Sequence, residues 1–292
     1  MKGIILSAGR GTRMYPMTKP VCKPLLPIYD KPNIYYALST LLMAHIREIL
    51  VIVPVGEINT FASLMGNGQQ YGVRISYLEQ KVQRGIADAF LVGKDFIGSD
   101  SVCLILGDNI FYGPGFEIDL RKACSQGTGA TIFGHYVEDP RPFGVVEFDE
   151  SGKVITLEEK PKIPKSHYIV PGLYFYDNQV ISIAENLEPS PRGELEITDV
   201  NKEYLRKGKL QVVPLGKHFH WFDTGNAESM FIASREIREL QQCTGRLIGC
   251  PEEIAYRNGY IDDRTLEQTA EDMIKTNYGK YLQKLSQAHN LQ

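Results

Sequence analysis

The sequence predicts an α/β fold: a Rossmann-like, predominantly parallel mixed sheet with helices on both faces, followed by a helical C-terminal segment. Three observations carry this. Short apolar runs of strand length, Lys2–Ser7 (KGIILS), Ile49–Val53 and Val102–Leu106, recur along the first part of the chain, as central strands buried on both faces require. Helical spacings separate them, and strands alternating with helices build right-handed βαβ units. Beyond Asn226 the pattern is mostly helical, with Met230, Ala233, Ile237 and Leu240 three or four residues apart.

Lys2–Ser7 opens the chain, and a glycine-rich loop follows it. Pro32–Ala44 reads as a helix because Ile34, Ala37, Leu38, Leu41 and Leu42 fall on one stripe. Ile49–Val53 is the next strand, Ile58–Met65 a helix, Ile75–Leu78 a strand and Ile86–Val92 a helix. Val102–Leu106 is a buried strand that runs into Gly107-Asp108-Asn109. From about residue 130 the texture becomes strand-rich: Ala130–Tyr136, Gly144–Asp149, Lys153–Glu158 and Gly172–Tyr176. Asp149-Glu150-Ser151-Gly152 is a hairpin turn signal. No internal repeat or linker interrupts the chain, which divides into a core, residues 1–226, and a helical segment, residues 227–292.

With 292 residues, 43% of them hydrophobic and 23% charged, the chain has the make-up of a globular protein that needs no disulfide or metal to hold a core. The formal net charge is −3 and no basic block stands out, so no nucleic-acid partner is expected. The five cysteines contain no C-x-x-C pair and read as reduced thiols of a cytoplasmic protein. The N-terminus lacks a signal-peptide layout. The most apolar run, Ile49–Val53, is too short to cross a bilayer, so no membrane partner is expected either.

The chemistry begins at Leu6-Ser7-Ala8-Gly9-Arg10-Gly11-Thr12-Arg13-Met14, directly after the first strand. Two glycines let backbone N–H groups turn inward on an anion, and loops at the carboxyl ends of parallel strands are where open α/β sheets bind ligands. The pattern is neither the dinucleotide fingerprint, since Met14 stands where Gly or Ala belongs, nor a Walker A loop, since no G-K-[ST] follows. Arg13 and Lys23 add a bidentate fork and a point charge suited to phosphate. Asp108 and Asp223 each sit where apolar sequence gives way to a turn. Magnesium needs only one or two carboxylates beside phosphate oxygens and water, although spacing alone does not pair two residues so far apart. His218 and His220 share a strand face, but no third ligand for zinc is near.

G-x-G-T-R followed by Lys23-Pro24-Leu25-Leu26-Pro27 resembles the signature of the sugar nucleotidyltransferases. So do Leu106-Gly107-Asp108-Asn109, Leu157-Glu158-Glu159-Lys160-Pro161, Gly172-Leu173-Tyr174-Phe175, Arg192-Gly193-Glu194-Leu195-Glu196-Ile197-Thr198-Asp199 and Trp221-Phe222-Asp223-Thr224-Gly225. Together they resemble the glucose-1-phosphate thymidylyltransferases in their longer form, over almost the whole chain. The resemblance implies transfer of a nucleotidyl group from dTTP to glucose 1-phosphate, with release of pyrophosphate, for dTDP-sugar and polysaccharide biosynthesis. It implies Arg13, Lys23 and Lys160 as catalytic residues. It places the nucleotide on Leu6, Ala8, Gly9, Gly11, Thr12, Arg13, Gln80, Gly85 and Asp108. It places the sugar phosphate on Asn109, Gly144, Glu159, Lys160, Val170, Arg192, Thr198 and Trp221, and Mg2+ on Asp108 and Asp223. It further implies a homotetramer with a second nucleotide site for feedback near the C-terminal helices.

Three positions depart from the pattern. Pro24 stands where Gln is usual, Phe143 where Tyr is usual, and Asp88 where Gln is common. These leave the chemistry intact and bear on the choice of nucleotide and sugar. A UTP-using sugar-1-phosphate uridylyltransferase is the nearest alternative. A non-catalytic sugar-nucleotide sensor would not need all of Arg13, Lys23, Asp108, Lys160 and Asp223. A dinucleotide oxidoreductase fails on the fingerprint.

Overall fold

The computed structural model describes residues 1–289. In chain order it contains β1 (Lys2–Leu6), β2 (Pro27–Ile28), β3 (Lys31–Pro32), α1 (Ile34–Met43), β4 (Glu48–Pro54), α2 (Ile58–Met65) and β5 (Arg74–Gln80). Next come α3 (Asp88–Val92), α4 (Lys94–Ile97), β6 (Val102–Leu106), β7 (Asn109–Tyr112), α5 (Phe116–Ser125) and β8 (Ala130–Tyr136). They are followed by β9 (Gly144–Phe148), β10 (Val154–Glu159), β11 (Tyr168–Ile169), β12 (Leu173–Tyr176), α6 (Gln179–Glu185), α7 (Ile197–Arg206), β13 (Leu210–Pro214) and β14 (His220–Asp223). Four helices close the chain: α8 (Ala227–Thr244), α9 (Pro251–Arg257), α10 (Asp263–Asp272) and α11 (Asn277–His289).

A ten-stranded mixed sheet runs β10-β9-β11-β8-β12-β6-β1-β4-β5, with β13 also paired to β8. The block β6-β1-β4-β5 is parallel, and β12 joins it antiparallel to β6. From β1 the chain moves outward through β4 and β5, then returns to β6 on the other side of β1. That reversal makes the carboxyl ends of β1 and β6 a topological switch point, where an open α/β sheet has room for a ligand. Leu6 pairs with Leu106 in register, so the glycine loop and Asp108 leave the sheet side by side. The approach is close at Gly107, where a Cβ would stand 2.2 Å from Ser7 Oγ and would force that hydroxyl to turn away.

Successive strand residues serve opposite faces. Ile5, Val51 and Ile105 belong to one apolar core, under α1, α2 and α5. Ile4, Leu50, Ile52 and Leu104 belong to the other, under α3, α6 and α7. The C-terminal helices extend the first core: Cys250, Ala255, Leu266, Ala270 and Leu282 are buried in the same cluster as the apolar stripe of α1.

The sequence reading differs from the fold in detail. The helix expected over Ile86–Val92 starts only at Asp88, because Gly85 at φ +99° turns the chain and Ala87 N donates to the Leu195 carbonyl instead. α5, α6, α7, β11 and β13 carried no clear signal. α5, for example, buries only Phe116, Leu120 and Ala123 in an otherwise charged stretch.

Gly72, at φ +63°, ties the C-terminal segment to the sheet layer. A Cβ there would stand 2.1 Å from the Tyr260 carbonyl oxygen, and Arg47 both donates to the Gly72 carbonyl and lies over the Tyr260 ring. Gly72→Ala should therefore lower unfolding stability by about 1–3 kcal/mol, the scale of one backbone held in a disfavoured region. Urea denaturation followed by circular dichroism measures this, and an unchanged midpoint would show that the contact contributes nothing.

Candidate active site

Gly11 adopts the left-handed conformation at φ +61° and caps a 3-10 turn, Thr12–Met14, that carries Arg13. A side chain at Gly11 would press on Thr18 and on Cβ of Lys23, so the loop and its continuation are folded onto each other. Lys23 begins a second such turn, Lys23–Leu25, and is itself buried. Its ammonium donates to Asp108 Oδ2. Asp108 Oδ1 accepts from Asn109 Nδ2 at 3.0 Å.

A two-stranded antiparallel ribbon, β7 with β14, brings the distant carboxylates together. Asp223 pairs with Asn109 and Trp221 with Phe111. Thr224, fully buried, locks the junction: its N–H and its hydroxyl both donate to the Asp108 carbonyl, and its hydroxyl accepts from Asn33 Nδ2 at 2.6 Å. Burial first, and then the adjacent Asp108 carboxylate, push the Asp223 carboxyl above the ordinary aspartate range, while Lys23, Arg13 and Lys160 pull it down. Two hard carboxylate donors suit Mg2+, which takes one or two carboxylates and completes its shell with phosphate and water. Among the described residues no group of three or more His, Cys, Asp or Glu is arranged to hold a metal. His220 lies among the rings of Tyr112 and Phe222.

These groups open on a cleft of about 410 Å³. Arg13, Asp108 and Asp223 line one side, and Asn109, Gly144, Glu159, Lys160, Val170, Arg192, Thr198 and Trp221 line the rest. Asn109 Oδ1 accepts from Trp221 Nε1 at 2.8 Å, which fixes the indole, and the Phe143 ring meets it edge-on at 5.3 Å. Thr198 Oγ1 donates to Glu159 Oε2 at 2.5 Å. A side chain at Gly144 would stand 2.9 Å from that hydroxyl. Lys160 holds φ at +45°, a region costly for a non-glycine residue and found most often at functional sites. Its N–H donates to the Phe143 carbonyl at 3.0 Å. The Arg192 guanidinium bonds both oxygens of Glu196 at 2.8 Å, with Glu159 at 3.3 Å and Glu194 at 3.4 Å.

Not every expected residue reaches this cleft. Leu6, Ala8, Gly9, Gly11, Thr12 and Lys23 belong to the adjoining loop and do not line it, and neither do Gln80 and Gly85. Gln80 ends β5, and its amide donates to Asp88. Gly85 has a packing reason of its own, since a Cβ would stand 2.5 Å from the Leu195 carbonyl oxygen. Sequence reasoning overlooked Tyr174, Glu194, Glu196 and Asn201, which also line the cleft, and the positioning pair Asn33 and Thr224. Glu194 and Glu196 lay inside a quoted motif. Nothing in the sequence around Asn33 marks it. A second cleft, of about 370 Å³, lies between α1, the end of β7 and α9, with Tyr36, Tyr112, Arg246, Glu253 and Arg257 on its walls.

Thr224→Val should lower stability by about 1–3 kcal/mol, because it strips the buried Asn33 amide of its acceptor. Because it also removes one of the two hydrogen bonds that hold the Asp108 carbonyl, leaving only the backbone N–H of residue 224, it should slow turnover at saturating substrate. Urea titration and steady-state kinetics check both, and a variant normal on both counts would remove Thr224 from the framework.

Comparison with known proteins gives the family. A family model described as nucleotidyl transferase matches residues 2–239. A glucose-1-phosphate thymidylyltransferase of Mycolicibacterium smegmatis is 52% identical over 98% of this chain and 99% of its own. One of Neisseria meningitidis is 50% identical over the same shares. Among solved structures, a Bacillus anthracis protein assigned as a glucose-1-phosphate thymidylyltransferase, in complex with sucrose, superposes with a TM-score of 0.76 at 40% identity, covering 82% of this chain and 96% of that one. A UDP-glucose pyrophosphorylase complexed with UDP-glucose shares the fold, with a TM-score of 0.72 at 22% identity over 82% of this chain and 98% of that one. The chain belongs to the nucleotidyl transferase family and, within it, to the glucose-1-phosphate thymidylyltransferases.

Proposed function

We propose that this chain transfers a thymidylyl group from dTTP to glucose 1-phosphate, yielding dTDP-glucose and pyrophosphate. The observation that carries this reading is the convergence of Asp108, Asp223, Arg13 and Lys160 on one cleft at the switch point of the sheet, with Lys23 paired to Asp108 from the adjoining loop. A sugar-phosphate oxygen attacks the α-phosphorus in line, and pyrophosphate leaves. The attacking oxygen is already anionic, so the chain needs no strong base. Its task is to bring two anions together and offset the charge of the transition state. Arg13 holds the triphosphate and stabilises the leaving pyrophosphate. Lys23 neutralises the phosphates near the reacting centre. Lys160 and Arg192 orient the sugar phosphate, with Glu159, Thr198 and Gly144 around the sugar hydroxyls and Trp221 as an apolar wall. Asp108 and Asp223 would hold Mg2+, which would offset the negative charge of the phosphates. Gln80 and Gly85 meet the base.

The second cleft supports a second nucleotide site beside the C-terminal helices, in a homotetramer. The five free thiols, and the finding that among the described residues no helix is long and apolar enough to cross a membrane, are compatible with a cytoplasmic enzyme of dTDP-sugar and polysaccharide biosynthesis. Uridylyl transfer from UTP is favoured by one feature. Pro24 lies buried in the Lys23–Leu25 turn and has no amide to offer the nucleotide.

Pyrophosphate release across dTTP, UTP, GTP, CTP and ATP, each with several sugar 1-phosphates, tests the reading. dTTP with glucose 1-phosphate should lead, and UTP should trail by roughly 10–200-fold, the most that one methyl group discriminates. Preference for a purine would overturn the assignment. Arg13→Ala and Lys23→Ala should each cut turnover by about a hundredfold or more. Asp108→Asn and Asp223→Asn should fold normally and lose activity, and the parent should be inactive in excess chelator. Full activity under chelation would refute the carboxylate roles.

A further inference from the structure

We infer that Asp88 sets the direction of the Gln80 amide, and that the nucleotide site thereby selects a pyrimidine carrying a hydrogen on N3, thymine or uracil, over cytosine. The inference rests on the proposed function, in which Gln80 meets the base.

Gln80 closes β5 at the carboxyl edge of the parallel block, and Asp88 opens α3 with only 1% of its surface exposed. Gln80 Nε2 donates to Asp88 Oδ2 at 2.8 Å. Arg84, whose side chain is half exposed, donates to Asp88 Oδ1 at 2.7 Å. Both oxygens of Asp88 therefore face donors. A carboxylate accepts hydrogen bonds and gives none, so only the NH2 end of the Gln80 amide can face it. The oxygen end is turned away, and among the described residues no protein donor is bonded to it. The segment lies against the phosphate loop, since Gln83 Nε2 donates to the Ala8 carbonyl. The amide oxygen is thus left free to accept from a base. Thymine and uracil offer it N3–H. Cytosine presents a lone pair at N3 and is repelled.

Asp88 is a positioning residue in this account, and its effect is separable from plain structural support. In Asp88→Asn, Arg84 can bond only the oxygen of the new amide, because a guanidinium has no acceptor. The new NH2 group then faces Gln80, which must turn its own oxygen inward and present NH2 to the base. Removing Arg84 as well releases the new amide to turn its oxygen toward Gln80, so that the original direction is available again.

The experiment compares kcat/KM for dTTP and dCTP with glucose 1-phosphate in the parent, Arg84→Leu, Asp88→Asn and the Asp88→Asn/Arg84→Leu double variant. The dTTP-to-dCTP ratio should fall about tenfold or more in Asp88→Asn, the cost of reversing one buried hydrogen bond. It should recover largely in the double variant and stay unchanged in Arg84→Leu, where Asp88 still accepts from Gln80. A parent that releases pyrophosphate with neither nucleotide would sink the proposed function itself. A parent that favours dTTP, with the ratio intact in Asp88→Asn, would overturn this inference alone. So would an equal loss in the single and double variants, or a fall in Arg84→Leu. Should Asp88→Asn fail to fold, Asp88→Leu, which removes the acceptor and leaves the Gln80 amide free to turn, should lower the same ratio, and an intact ratio there would overturn the inference.

Discussion

The architecture depends on holding two carboxylates against each other. Asp108 leaves the end of β6 and Asp223 ends β14, and only the antiparallel β7–β14 ribbon sets them side by side. Like charges in a half-buried place repel, and the upward push on Asp223 is the sign of that repulsion together with its burial. The surrounding framework opposes it. Lys23 is drawn into an ion pair with Asp108 by the glycine loop, whose fold needs Gly11 in a left-handed conformation. Thr224 and Asn33 clamp the backbone from beneath. The switch point of the sheet supplies the opening, and the crowded charges fill it with a preorganised field.

The opposite wall of the cleft follows the same logic with the signs rearranged. Arg192 sits among Glu159, Glu194 and Glu196, which fix the guanidinium in place. Glu159 is also bonded by Thr198, and Gly144 clears the space above that pair. Lys160 holds a strained backbone angle beside them. Strain of this kind persists only where neighbouring structure over-determines it, and here the pairing of its N–H with the Phe143 carbonyl contributes.

Much of this was legible in the sequence. The buried strands β1, β4 and β6 stood out as unbroken apolar runs, because a strand covered on both faces leaves no polar position. The glycine loop stood out because Gly9 and Gly11 directly follow such a strand, with Arg13 and Lys23 in the loop and its continuation. The ribbon was not legible: β7 and β14 lie more than a hundred residues apart, and pairing between distant strands leaves no local periodicity. Asn33 and Thr224 were missed for the same reason, as their meaning lies in each other. Gly85 was read from resemblance as a nucleotide contact, whereas the structure adds a close approach to Leu195 that would require glycine in any case. Asp88 was noticed as a departure, but its use as the partner of Gln80 and Arg84 emerges only when β5 and α3 are seen together.

The central claim is that this chain catalyses by fixed charge, with no nucleophile of its own. The stereochemical course at the α-phosphorus tests it directly, using dTTP with a chiral α-thiophosphate and glucose 1-phosphate as acceptor. Direct in-line attack predicts inversion of configuration in the dTDP-glucose analogue formed. Retention would mean two successive displacements through a nucleotidylated side chain, and would contradict the account.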